Sequence, residues 1–178
     1  MIITELDQFK AKPAAKPSAK VRRFYSPIDD VHGALVAILG SARHSISLAM
    51  YGYDDDELAA MVAGALQDPQ IFVSVTLDKS QAAGVHERAI LTKYEHEMTG
   101  NSVAIGTSER GAIMHRKMLI VDGTWLVTGS TNWSTSGTSL QDNELTVMYD
   151  PVGCAEATAV LAIEHDHALA QMIKGVKK

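Results

Sequence analysis

Two short apolar runs, residues 118–121 and 125–128, stand on either side of Asp122-Gly123. That dipeptide readily adopts the left-handed backbone of a tight turn, so an antiparallel hairpin is predicted here. The hairpin constrains the fold, because it puts antiparallel pairing into whatever sheet the rest of the chain builds.

The rest alternates between helical and extended periodicity. Residues 27–43 carry Val31, Leu35, Ile38 and Leu39 on one helical face, and 46–51 reads as a strand. Asp54 or Asp55 has the chemistry of an N-cap for a helix to Gln67. Residues 71–77 are β-branched and strand-like, 85–98 are helical, and 102–106 and 145–149 are further strands. Pro151 opens a long helix ending near Lys174. Strands alternating with helices predict an α/β sandwich: a central sheet, made mixed by the hairpin, with helices on both faces.

Residues 10–20 contain four lysines and two prolines and no apolar periodicity. A basic flexible N-terminal arm is therefore predicted over 1–23, with one catalytic domain over 24–178. The arm holds a net +4, which leaves −9 on the remainder of a chain whose total is −5. Any anion site must then be a local arrangement rather than a general basic field. The opening residues have no apolar signal core and no run reaches the length of a membrane span, so a cytoplasmic location without stable membrane association is expected. The single cysteine, Cys154, excludes an internal disulfide and a multi-cysteine metal site, and reads as a small core residue.

The chemistry concentrates around the hairpin. His115 and Lys117 precede it, two residues apart and so on one side of an extended chain. Gly129-Ser130-Thr-Asn132 follows it, and Glu144 leads into the next strand. Closing the hairpin brings an imidazole, an ammonium, a hydroxyl and a carboxamide together, with a carboxylate available to complete the set. Lys117, Asn132 and Ser130 are suited to the non-bridging oxygens of a phosphoryl group. Such donors typically stabilise a charged transition state by ~3 kcal/mol each. Glu144 is expected to accept from one ring nitrogen of His115 and leave the other to attack.

The pattern His115-x-Lys117-x4-Asp122, then Gly129-Ser130-x-Asn132 and a later acid, resembles the signature of the phospholipase D superfamily, above all its small bacterial endonucleases with one motif per chain. The resemblance implies a phospholipase D-like α/β/α sandwich and a metal-independent phosphodiesterase without a cofactor. It implies that His115 becomes a phosphohistidine, that Lys117 and Asn132 hold the phosphate, that Ser130 adds a hydrogen bond, and that Glu144 braces the nucleophile. Asp122, at the turn, and Gly129 take supporting roles. A second histidine must protonate the leaving oxygen, yet His32, His44, His86, His96, His165 and His167 all lack the lysine two residues on. A homodimer sharing two copies of His115 is the economical solution. The expected substrate is nucleic acid, DNA or RNA. A phospholipid phosphodiesterase or phosphatidyltransferase, and a non-catalytic nucleic-acid-binding module, are the competing readings.

Other features read more plainly. Tyr51 and Tyr53 follow a strand and are possible substrate-binding residues, able to stack on a base or sugar. Arg116 is expected to face away from the motif. Asp54 to Glu57 read as acids at a helix N-terminus. Glu164-His-Asp-His167 reads as solvated helix surface, since His165 and His167 point apart on a helix and suit no shared metal.

Overall fold

A computed structural model describes residues 2–81 and 101–176. Seven strands form one twisted sheet: β1 (Val21–Ser26), β2 (Ser45–Met50), β4 (Phe72–Asp78), β5 (Ser102–Gly106), β6 (Lys117–Val121), β7 (Trp125–Gly129) and β9 (Asn143–Tyr149). Their order across the sheet is β1-β9-β7-β6-β2-β4-β5. β2, β4 and β5 pair parallel, and every other neighbouring pair is antiparallel. β3 (Tyr53–Asp54) and β8 (Trp133–Ser134) make a separate two-stranded ribbon. The sheet is mixed, as the hairpin requires.

Alternation along the strands sends side chains to two cores. Leu48, Leu119, Val121, Val127, Leu145 and Val147 join helices α1 (Val31–Gly40) and α2 (Asp56–Gln67) on one face. Ala49, Ile120 and Leu126 join Cys154 and Leu161 of α4 (Pro151–Val176) on the other. The result is the three-layered α/β/α sandwich. A one-turn helix, α3 (Thr135–Ser139), sits between β8 and β9.

The local signals act as their chemistry suggests. Asp55 caps α2, its carboxylate accepting from Leu58 N–H at 3.0 Å, with Asp56 and Glu57 in the first turn. Asp122 and Gly123 have φ of 52° and 60°, a type I′ turn. Helix α1 starts at Val31 rather than residue 27. Ile28 and Asp29 N–H both donate to Tyr25 C=O and make a turn first, after which Asp30 caps Gly33. The helix predicted over 85–98 lies outside the described residues. Cys154 is fully buried in α4. Burial, with the Asp150 carboxylate second, pushes its thiol up to about 11.

Two expectations are corrected. The arm predicted over 1–23 is anchored at both ends. A short 3-10 helix, Ile3–Phe9, buries Ile3 and Leu6, and residues 21–23 belong to β1. Arg22 donates from Nε to Asp7 Oδ1 at 2.6 Å, and Lys10 pairs with Asp29 at 2.5 Å. The basic composition hid two apolar residues three apart and acids placed to receive the cations. Only 11–20 form a run of exposed chain. Leu6→Ala should therefore lower stability by about 2–5 kcal/mol in a denaturant melt, whereas a solvated tail would give no change.

Glu164 to His167 are not wholly solvated surface: Asp166 is exposed, but His165 turns inward. His165 is buried, with Nδ1 2.9 Å from Thr76 Oγ1 and Nε2 2.6 Å from Ser102 Oγ. Hydroxyls give or accept protons, so a neutral imidazole is satisfied at both nitrogens. Burial pulls its pKa below the ordinary 6.5, partly opposed by Asp166. The unfolded chain therefore binds a proton here that the native fold disfavours, and native stability is lost as pH falls below about 6.5. Thermal melts from pH 8 to pH 5 should show this fall, and His165→Gln should flatten it.

Candidate active site

The ends of β2 and β4, the start of β6 and the end of β7 meet at one edge of the sheet, because Met50 pairs with Lys117 and Met118 with Thr128. His115 lies two residues before β6 and its side chain is exposed. Lys117 is the first residue of β6 and is buried to 8% exposure. Its Nζ donates to His115 C=O at 3.2 Å and lies 4.8 Å from the centre of the Tyr51 ring. Burial lowers the Lys117 pKa from its ordinary value, and the Asp78 carboxylate opposes this. An ammonium with three N–H donors and, among the described residues, one hydrogen-bond acceptor has donors left for an anion.

Tyr51 follows β2 directly. Its ring meets His115 edge-on, with centroids 4.7 Å apart. The next residue, Gly52, donates its N–H to Asn132 Oδ1 at 3.2 Å. Because Gly52 supplies the proton, Oδ1 is the acceptor, and the amide NH2 of Asn132 remains a donor for a ligand. A Cβ on Gly52 would lie 2.9 Å from Asn132 Cγ, so glycine is what lets the two approach. The Tyr51-Gly52 step thus touches both halves of the motif.

Ser130 follows β7. Its hydroxyl donates to Asn143 Oδ1 at 2.8 Å and accepts from Glu144 N–H at 3.0 Å. Gly129 makes this possible: its φ is 151°, and a Cβ there would lie 2.1 Å from the Glu144 carbonyl oxygen. Asp122 stands at the far end of the hairpin and gathers the N–H groups of Arg43, His44 and Ser45 at 2.7–3.1 Å. Burial works to raise its carboxyl pKa, but these backbone donors outweigh it and leave the group below its ordinary value.

Glu144 differs from expectation. Its Oε1 accepts from Thr146 Oγ1 at 2.5 Å and lies 3.6 Å from Arg23 Nε. Among the described residues no hydrogen bond joins it to His115. The register explains why. Leu119 and Leu145 turn to the core of α1 and α2, so Lys117 shares that face while Glu144, one residue from Leu145, takes the other. Tyr53 is also corrected as a substrate platform: it is buried to 2% exposure and stacked on Trp133. Arg116 turns away from the motif as expected and holds Glu164 of α4 through Nε and Nη2.

Asp78, at the end of β4, escaped the sequence reading. It is fully buried and accepts from Met114 N–H at 2.5 Å, which fixes the backbone next to His115. The available signal was an acid closing a β-branched strand of an α/β sheet, the end at which ligands bind. A cavity of about 1010 Å³ opens beside His115 and runs between Ile113, Arg116 and helix α4 at Val160 and Ile163. Among the described residues no group of three or more His, Cys, Asp or Glu could hold a metal ion.

A family model described as cardiolipin synthase, PLD-like domain, matches residues 35–165. A mitochondrial cardiolipin hydrolase from Chlamydomonas reinhardtii is 26% identical over 113 residues; the match spans 64% of this chain and about half, 48%, of that relative. The fold is similar to Nuc, a phospholipase D family member from Salmonella typhimurium, with TM-score 0.70 and 20% identity over 85% of this chain and 96% of that one. It is also similar to NucT from Helicobacter pylori, with TM-score 0.68 and 21% identity over 83% and 96%.

Gly129→Ala should lower stability by about 3 kcal/mol or more in a denaturant melt, since both its backbone angle and the Glu144 carbonyl reject a side chain.

Proposed function

Because the chain belongs to the phospholipase D-like family, whose model spans residues 35–165, we propose that it is a metal-independent phosphodiesterase that cuts DNA, or RNA, through a phosphohistidine at His115. The observation that carries this reading is an exposed imidazole, a buried ammonium and a carboxamide brought to one end of the sheet, the first two on the Tyr51 ring and the third on Gly52.

The lone pair of one His115 ring nitrogen attacks phosphorus. Lys117 and the Asn132 NH2 bind the non-bridging oxygens as charge grows there. The P–O bond to the leaving group breaks, and that oxygen takes a proton from a second imidazole. Water then attacks the phosphohistidine, passes its proton to the second imidazole, and the P–N bond breaks. Asp78 fixes the backbone before the nucleophile, and Ser130 ties the Asn132 loop to Asn143 and Glu144. Glu144 supports that loop instead of the imidazole.

The second imidazole is His115 of another copy in a homodimer. Ile28, Ile113 and Leu140 support this: they are 73%, 49% and 71% exposed, and all lie in connections at the sheet edge that carries His115. Exposed apolar side chains at the strand ends that carry His115 favour closure by a like surface.

The resemblance to a cardiolipin hydrolase supports a second reading, a phospholipid headgroup diester in the same site. Plasmid DNA and phosphatidylcholine vesicles, each incubated with the protein in excess EDTA, separate the two. Plasmid nicking that persists in EDTA is expected, with a bell-shaped pH dependence and loss of activity on dilution below the dimer dissociation constant. His115→Ala should reduce cutting by about 10³-fold or more while leaving the dimer folded. Lipid turnover without nicking would replace the nuclease reading, and a fully active monomer by sedimentation would overturn the shared site.

A further inference from the structure

Tyr51 is held on three sides. Its N–H donates to Arg116 C=O at 2.9 Å, which pins its backbone between the two motif residues. Its phenolic oxygen accepts from Gln81 Nε2 at 3.2 Å. The half-buried ring lies 4.7 Å from the His115 imidazole at an interplanar angle of 64°, and 4.8 Å from Lys117 Nζ.

His115, by contrast, has little to hold it. Among the described residues its ring makes no hydrogen bond, and the acid expected to brace it is bound to Thr146. An exposed imidazole without such a bond has several rotamers open to it. Among the described residues, the ring contact with Tyr51 is the restraint on its side chain. The same ring receives the ammonium, in the arrangement by which an aromatic quadrupole attracts a cation.

We propose that Tyr51 is a positioning residue of this site: its ring orients the His115 imidazole and seats the Lys117 ammonium, so that nucleophile and cation address one phosphate. The proposal rests on reading His115 as the nucleophile. It replaces the expectation that Tyr51 stacks on a base, because the ring is already engaged by two residues of the motif.

The test uses Tyr51→Phe and Tyr51→Leu in the full chain, with His115→Ala in parallel and plasmid nicking as the readout. Phe keeps the ring and should retain kcat within about 3-fold, whereas Leu should lower kcat by about 10- to 100-fold, the scale of a misplaced reacting group, with KM changed by less than about 3-fold. In NMR spectra of the free protein the His115 ring-proton signals should stay displaced by the aromatic ring in the Phe variant and lose that displacement in the Leu variant. Tyr51→Met fills a similar volume without a ring and carries the same test if the Leu variant does not fold. An unchanged kcat in the Leu variant, a rise in KM alone, or a Phe variant as slow as Leu would each overturn the positioning role. If His115→Ala cuts at the normal rate, the nucleophile assignment fails whatever Tyr51 does.

Discussion

Strand β2 is bonded to a parallel neighbour, β4, on one edge and to an antiparallel neighbour, β6, on the other. At its end the two halves of the sheet send their chains in different directions: β4 leaves for its crossover, while β6 is only arriving. A crevice must open where such connections diverge, which is why ligands in open α/β sheets gather beyond the strand ends at these points. Everything placed in the candidate site depends on that junction. Tyr51 follows the end of β2, Asp78 closes β4, and His115 comes on the approach to β6.

Polar groups hold the junction in register. Asp122 receives three successive N–H groups from the segment that enters β2, and so ties the hairpin turn to the opposite end of that strand. Asp78 fixes the approach to His115 by a single short bond. Taking a carboxylate out of water is costly unless its acceptors are filled; the fully buried Asp78 and the partly buried Asp122 both meet that condition with backbone donors. The geometry around His115 is thus maintained by acids that need not touch a substrate.

Much of this was legible because it is local. The Asp122-Gly123 turn, the cap at Asp55 and the strand at Ser102–Gly106 depend on residues within a few positions of one another, and the structure reproduces them. That His115, Lys117 and Asn132 come from the same end of the sheet followed from one hairpin and a period of two. Glu144 was misread because its side of the sheet depends on a register across β7, which spacing along the chain does not encode. Leu6 and His165 were misread for a related reason. Each sits in a polar stretch, and its burial is decided by a surface contributed from far along the chain. Tyr53 was paired with Tyr51 by alternation, but the β3–β8 ribbon turns it onto Trp133.

The burial of Cys154 has a consequence for the setting in which this fold can persist. With its sulfur sealed beneath α4 and its thiolate disfavoured, the residue offers little to oxidants, electrophiles or mixed-disulfide exchange. No pair of cysteines has to be joined or kept apart for the chain to fold. The architecture accordingly contains no disulfide whose making or breaking would tie its shape to the redox setting.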